Sequence, residues 1–113
     1  MFRVFAIVFL LIGSSAFADS NNKIPLNREV NLKVGQSIIV HGYRGDCGER
    51  PKNVDPKRTR KTKLGVLSNG KWGVTKSTAC GGWTPAVEVI YKARKKGSEI
   101  IEVRGTKIKV SVR

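Results

Sequence analysis

Short segments in which apolar and polar residues alternate are the feature that most constrains the fold of this chain. In "REVNLKV" (28–34) and "KIKVSVR" (107–113), every second residue is apolar. A period of two residues is typical of a strand that buries one face of a sheet. No segment sustains the 3.6-residue periodicity of an amphipathic helix. The pattern predicts an all-β protein.

Further strands are predicted in "SIIVHGY" (37–43), "AVEVIYKAR" (86–94) and "SEIIEVR" (98–104). In the second of these, Val87, Val89, Tyr91 and Ala93 share one face, and Glu88 belongs to the opposite face with Lys92 and Arg94. About seven short strands separated by turn signals favour a small antiparallel β-sandwich or a small barrel.

Turn residues predict how these strands connect. Asn69-Gly70 within "LGVLSNGKWGVTK" (64–76) favours a two-residue type I′ hairpin turn. "STACGGWTP" (77–85) predicts a loop, because it contains two adjacent glycines and ends in proline. "KRTRKTK" (57–63) is compatible either with the end of a long loop or with a protected edge strand.

The N-terminus predicts export. A positive start is followed by a short apolar run and by "SSAFA", whose small residues are typical of a signal-peptide cleavage site after Ala18. We therefore expect a signal peptide at 1–18, a flexible lead-in at 19–27 and one domain at 28–113, in a periplasmic or secreted protein. No second apolar segment follows, so no transmembrane segment is expected after cleavage.

Two cysteines in an exported chain are expected to form a disulfide. Cys47 and Cys80 would close a long loop and stabilise a domain of this size. The alternative is a metal site that also uses His41, but three candidate ligands without Cys-x-x-Cys spacing do not match a structural zinc site. We expect the disulfide and no metal or cofactor.

The chain has a large surplus of positive charge. It contains 22 Lys and Arg against 8 Asp and Glu; removing Arg3 with the signal peptide leaves 21 against 8, a net charge of +13. Such a surplus keeps a protein soluble and monomeric, and it also attracts anionic partners. Seven cations lie in the basic segment 50–63 and are the predicted anion-binding residues: Arg50, Lys52, Lys57, Arg58, Arg60, Lys61 and Lys63. The other interpretation of this segment is a solvated loop or a protected edge.

Two other chemistries are disfavoured. With a single histidine and no acidic pair on a shared strand face, the chain lacks the base-and-nucleophile set of an enzyme. Genomic nucleic acid is not expected as a partner, because the chain is exported and its tryptophans are not interleaved with the basic segment. Arg44-Gly45-Asp46 matches an adhesion tripeptide, but a tight turn explains it better.

Trp83 marks a predicted partner-binding loop made of Gly81, Gly82, Trp83 and Thr84. Aromatic residues on braced loops often dominate recognition. The alternative is that Trp83 packs over the disulfide as part of the core, as tryptophans do in many sandwiches.

The order of motifs resembles a known family. "NLKVGQSIIV", a Gly-Gly loop, "AVEVIYKARKKGSEIIEV" and "KIKVSV" look similar to the chagasin-type inhibitors of papain-like cysteine proteases. The resemblance covers about half of the mature chain and implies an immunoglobulin-like β-sandwich with three loops at one end that enter a protease cleft. The chain departs from the family's Asn-Pro-Thr-Thr-Gly loop, where it has "HGYRGDCGERP", and from its Arg-Pro-Trp loop, where it has "RGTK". The Cys-Gly…Cys-Gly-Gly-x-Thr-Pro arrangement is also similar to small uncharacterised exported bacterial proteins.

The sequence thus predicts a non-enzymatic binding module with a cationic face for an anionic envelope component, namely polysaccharide or lipid head groups, or for an acidic protein. The alternative is a proteinaceous inhibitor of a hydrolase that uses the loop around Trp83. A structural envelope component, charged only for solubility, is the third hypothesis.

Overall fold

Seven strands are present in a computed structural model that describes residues 21–55 and 57–113. The predicted signal peptide, 1–18, lies outside the described residues. The strand bounds are β1 Glu29–Leu32, β2 Ser37–Arg44, β3 Thr59–Lys61, β4 Gly65–Ser77, β5 Gly82–Ala93, β6 Gly97–Val103 and β7 Thr106–Val112.

The strands form two sheets, one with the order β1-β7-β6 and one with the order β2-β5-β4-β3. Neighbouring strands are antiparallel except β1 and β7, which pair in parallel with Val30 opposite Val110. The predicted all-β sandwich is confirmed, with this parallel pair as a departure from a purely antiparallel arrangement.

The alternating residues form the core between the sheets. Val40, Tyr91, Ala93, Ile108 and Val110 have no solvent exposure. The inward faces predicted for β5 and β7 are therefore confirmed. Val34 is the exception among the predicted alternating residues: it is 47% exposed, because β1 ends at Leu32 before the chain turns.

The predicted Asn69-Gly70 hairpin is wrong. β4 continues through these residues, and Gly70 and Lys71 together lie opposite Glu88 in a β-bulge. Glu88 Oε1 accepts a hydrogen bond from Lys71 N–H at 2.9 Å, and a Cβ on Gly70 would lie 2.5 Å from the same oxygen. The glycine thus permits close approach of a carboxylate, and this contact replaces the local turn.

Residues 22–27, within the predicted lead-in, are bonded to the four-stranded sheet. Val74 exchanges two backbone hydrogen bonds with Asn22 and Ile24, at 2.9 and 2.8 Å, and Asn27 N–H donates to Val40 C=O at 2.9 Å. The segment therefore joins β4 to β2, the strands on either side of β5. Asn22 also donates to Glu88 Oε2 at 3.2 Å, so Glu88 is only 7% exposed although it faces away from the inter-sheet core.

Glu99 on β6 makes a polar link between the two sheets. Its carboxylate accepts hydrogen bonds from the hydroxyls of Thr62 and Tyr91, both at 2.7 Å, and from the backbone N–H groups of Lys63 and Leu64 at 3.0 and 3.1 Å. Burial, the largest effect, raises the pKa of Glu99, but these four hydrogen bonds together bring it below the ordinary value of 4.5. On Tyr91, burial and the bond to Glu99 raise the pKa to about 12.

We expect Glu99→Gln to lower the free energy of unfolding by about 1–3 kcal/mol at neutral pH, because an amide accepts fewer of these bonds. The pKa of Glu99 is lowered on folding, so its contribution is complete above pH 4.5 and is lost as the pH falls through the folded-state value. Urea titrations of both proteins over a pH series should show that the difference between their free energies of unfolding becomes smaller in acid. Glu102→Gln, an exposed change on the same strand, is the control. A difference that became larger in acid would contradict this account.

Candidate anion-binding surface

A disulfide joins Cys47, in the β2–β3 loop, to Cys80, in the β4–β5 turn, with 5.4 Å between the Cα atoms. The predicted pairing is confirmed, and neither sulfur is left as a metal ligand. The loop is further held by Gly48 N–H, which donates to the hydroxyl of Thr84 at 2.9 Å. A disulfide is compatible with an oxidising compartment.

Replacing both cysteines by serine should lower the free energy of unfolding by about 3.5–4 kcal/mol, because the closed loop no longer restricts the unfolded chain. Denaturant titration checks this, with the reduced native protein as the matched sample. A loss below about 1 kcal/mol would show that the bond does not stabilise the fold by loop closure.

Three connections meet at the end of the sandwich that carries the disulfide, called here the disulfide end. They are the loop after Arg44, the turn at 78–81 and the turn formed by Arg104 and Gly105. The disulfide joins the first two connections. Arg104 Nη2 donates to Gly45 C=O at 3.4 Å and so links the third connection to the first.

The Arg44-Gly45-Asp46 triplet forms part of a turn, as expected. Arg44 Nη1 donates to Gly45 C=O at 2.9 Å, and Asp46 C=O accepts from Glu49 N–H at 3.0 Å. A Cβ on Gly45 would lie 2.8 Å from the Cα of Pro51, so only glycine permits the chain to return so closely.

The predicted anion-binding residues are spread along one edge of the molecule. Lys52, Arg58 and Arg60 line a groove of about 450 Å³, called here the edge groove, which lies where the four-stranded sheet faces the end of β6. Apolar side chains contribute to its walls, as do the acidic residues Asp55 and Glu102. Arg104, which the sequence placed at the end of a predicted strand and in no site, also lines this groove.

The other four cations of the basic segment lie apart from the edge groove. The guanidinium of Arg50 lies 4.5 Å from the centroid of the Trp72 ring, a cation–π contact. Lys61 and Lys63 line a separate depression of about 450 Å³ together with Arg94 and Lys95. Lys57 is exposed, and its backbone N–H donates to Asp55 Oδ1 at 2.9 Å.

The basic segment contains an edge strand, which is one of the two structures that the sequence left open for it. β3 pairs only with β4, with Arg60 opposite Leu67, and all of its three residues are exposed. Pairing therefore holds Arg60 along the edge groove, and Arg58, whose backbone N–H donates to Asp55 C=O at 3.0 Å, lies directly before the paired strand.

The predicted partner-binding loop is shorter than expected. β5 begins at Gly82, so Trp83 and Thr84 belong to a strand, and Thr84 is only 1% exposed. Trp83 is 51% exposed, which places it at the surface and not in the core. The ammonium of Lys23 lies 5.3 Å from its ring centroid, and Lys76 lies opposite it on β4.

Residues 21–55 and 57–113 contain no group of three His, Cys, Asp or Glu side chains placed to hold a metal ion. Within the same residues, no helix has the length and apolar character needed to cross a membrane. Comparison with family models, curated proteins and solved structures finds no match to this chain.

Proposed function

We propose that this protein is an exported, non-catalytic binding module that holds an anionic polymer along its cationic edge. The observation that carries the proposal is that the carboxylates and the cations occupy different environments in the fold. Glu88 is buried and Glu99 is half-buried, and both accept hydrogen bonds from amide and hydroxyl groups instead of pairing with surface cations. Asp55 and Glu102 also line the edge groove, but within the described residues no carboxylate forms an ion pair with Lys52, Arg58 or Arg60.

The edge groove suits a polymer better than a small ligand. The basic segment continues past it to Lys61 and Lys63, which line a second depression with Arg94 and Lys95. Contacts with exposed cations are individually weak and screened by salt. A chain of repeated negative charges would engage several of them at once, which favours an acidic polysaccharide of the envelope as the partner.

Export is part of this proposal. The N-terminal signal pattern supports it, and the disulfide is compatible with it. A protein located outside the cytoplasm would meet envelope polysaccharide rather than genomic nucleic acid.

Charge reversal along the edge tests the proposal. We expect Arg58→Glu, Arg60→Glu and Lys61→Glu together to weaken binding of dextran sulfate and polygalacturonate by about tenfold or more at low salt. Titrations over a range of sodium chloride should also show a shallower salt dependence for this variant, because fewer counterions are exchanged on binding.

The matched control reverses three exposed cations that line neither the edge groove nor the depression at Lys61 and Lys63, namely Lys33, Lys96 and Arg113. Its net charge is identical, so it should bind much more tightly than the edge variant. Equal losses in the two variants would mean that net charge alone attracts the polymer. Unchanged binding in the edge variant would exclude the edge as the site.

The second candidate function is inhibition of a hydrolase, favoured by the exposed Trp83 beside a turn that the disulfide fixes. The convergence of three connections at the disulfide end is also what the resemblance to chagasin-type inhibitors implies. In this case the indole would enter the cleft of the enzyme, and affinity would depend mainly on buried apolar area.

For this candidate, Trp83→Ala should weaken inhibition by about thirtyfold or more, since a central aromatic contact typically contributes at least 2 kcal/mol. The control is Ile100→Ala, another exposed apolar residue, located on the other sheet. Inhibition is measured against papain-like proteases and peptidoglycan hydrolases. If the native protein inhibits none of them at micromolar concentration, the candidate is excluded.

A further inference from the structure

A second cleft, of about 260 Å³, opens at the disulfide end and is called here the end cleft. Four cations from four different segments line it: Arg28, Arg44, Lys76 and Arg104. Hydroxyl side chains, including those of Thr78 and Thr106, complete its polar lining. None of the described residues that line it is acidic, in contrast to the edge groove.

The fold brings these cations together from both sheets. Arg28 precedes β1, Arg44 ends β2, Lys76 lies near the end of β4, and Arg104 lies in the β6–β7 turn. Converging like charges repel one another, although solvent screens the repulsion between the exposed side chains of Arg28, Lys76 and Arg104. An anion bound between them would convert this repulsion into attraction.

Arg104 is held in an unusual backbone conformation. Its φ is +47°, and that of Gly105 is +81°, as in a type I′ turn. The first position of such a turn favours Asn, Asp or Gly, and a long side chain there is uncommon. Strained residues of this kind concentrate at functional sites.

One carbonyl group orients two of the guanidinium groups. Gly45 C=O accepts from Arg44 at 2.9 Å and from Arg104 at 3.4 Å, although the two arginines belong to different sheets. Each guanidinium carries five N–H donors, so one bond to the carbonyl leaves donors available to a ligand. Two guanidinium groups that lie side by side can donate hydrogen bonds to several oxygens of one anion.

His41 supplies an independent observation. It lines the end cleft, and its Nδ1 atom is buried without a hydrogen-bond partner in the described structure. Buried polar atoms in native proteins are almost always paired, so this atom is an exception in the wall of the cleft. Burial, followed by the charge of Arg28, lowers the pKa of His41, in agreement with a positive potential in the cleft.

We propose that the end cleft is a binding site for a phosphate monoester of about the size of a sugar phosphate. A phosphate group offers several oxygens to the arginine forks and the hydroxyl donors, and no lining carboxylate opposes it. Sites for drug-sized ligands have volumes of about 300–1,000 Å³. The volume of the end cleft lies slightly below this range, so the cleft can hold only a small ligand. Arg104 lines both the edge groove and the end cleft, but the other three cations of the end cleft lie outside the edge groove, so this proposal does not rest on polymer binding there.

Calorimetric titration with glucose 6-phosphate tests the site, with glucose and glucuronate as comparisons. The informative variant is Arg104→Asn, because Asn-Gly is a preferred type I′ pair and the turn should remain stable without the guanidinium. We expect glucose 6-phosphate to bind more tightly than both comparisons, and Arg104→Asn to weaken it by about tenfold while the thermal midpoint does not fall.

Lys107→Ala is the matched control, because it removes an adjacent exposed charge that does not line the end cleft. The edge variant with Arg58, Arg60 and Lys61 reversed should also retain most of its affinity for glucose 6-phosphate. Retention there, together with lost polymer binding, would show that the two sites are separate. If polymer binding fails in the native protein, the titration with sugar phosphate still decides whether the end cleft is a site.

Vesicles of phosphatidylcholine with and without phosphatidic acid distinguish the sources of the phosphate. If the native protein binds the phosphatidic acid vesicles and Arg104→Asn abolishes this binding, the ligand is a lipid head group. If the native protein binds only the soluble ester, the ligand is a sugar phosphate. The proposal is overturned if glucose 6-phosphate binds no better than glucuronate, or if Arg104→Asn and Lys107→Ala weaken it equally.

Discussion

The four hydrogen bonds to the carboxylate of Glu99 are the interaction on which the rest of this structure depends. They connect β6 with β5 and with the segment between β3 and β4, and so join the two sheets through one side chain. Gly65, which follows this segment, has no room for a side chain, because a Cβ would lie 2.4 Å from Lys92 C=O. The basic edge strand is thereby fixed against the sandwich at one of its ends.

The use of carboxylates inside the fold determines the character of the surface. Glu88 holds the bulge of β4 and the N-terminal segment, as Glu99 holds the two sheets, and both accept bonds from neutral donors. The cations therefore remain exposed on the edge and at the disulfide end. The disulfide adds a second constraint, since it fixes the start of the basic segment near the turn that precedes Trp83.

The sequence predicted those features that depend on local patterns. Alternation of apolar residues identified the strands that form the core, and export together with two cysteines predicted the disulfide. The Asn69-Gly70 turn was predicted wrongly, because the contact of Glu88 with the bulge depends on a residue distant in the sequence. The sequence did not predict the burial of Glu88 for the same reason, because the N-terminal segment that covers Glu88 is distant from it in the sequence.

The two candidate sites differ in how far the sequence could reveal them. The edge groove takes three of its cations from one continuous basic segment, so the clustering of cations in the sequence indicated these residues, though not the groove. The end cleft takes each of its cations from a different segment, and these meet only after both sheets have formed. The left-handed conformation of Arg104 was a further signal, but "RGTK" indicates a turn without showing which side chain occupies its strained position.

The central claim is that the surplus positive charge is not compensated within the molecule. The most direct test is the thermal unfolding midpoint of the native protein, measured without any ligand as sodium chloride is raised from a few millimolar to about 0.2 M, where the Debye length falls below about 10 Å. Uncompensated cations repel one another in the folded state, so screening should raise the midpoint. A midpoint that falls over this range would show that ion pairs stabilise the fold and would contradict the account.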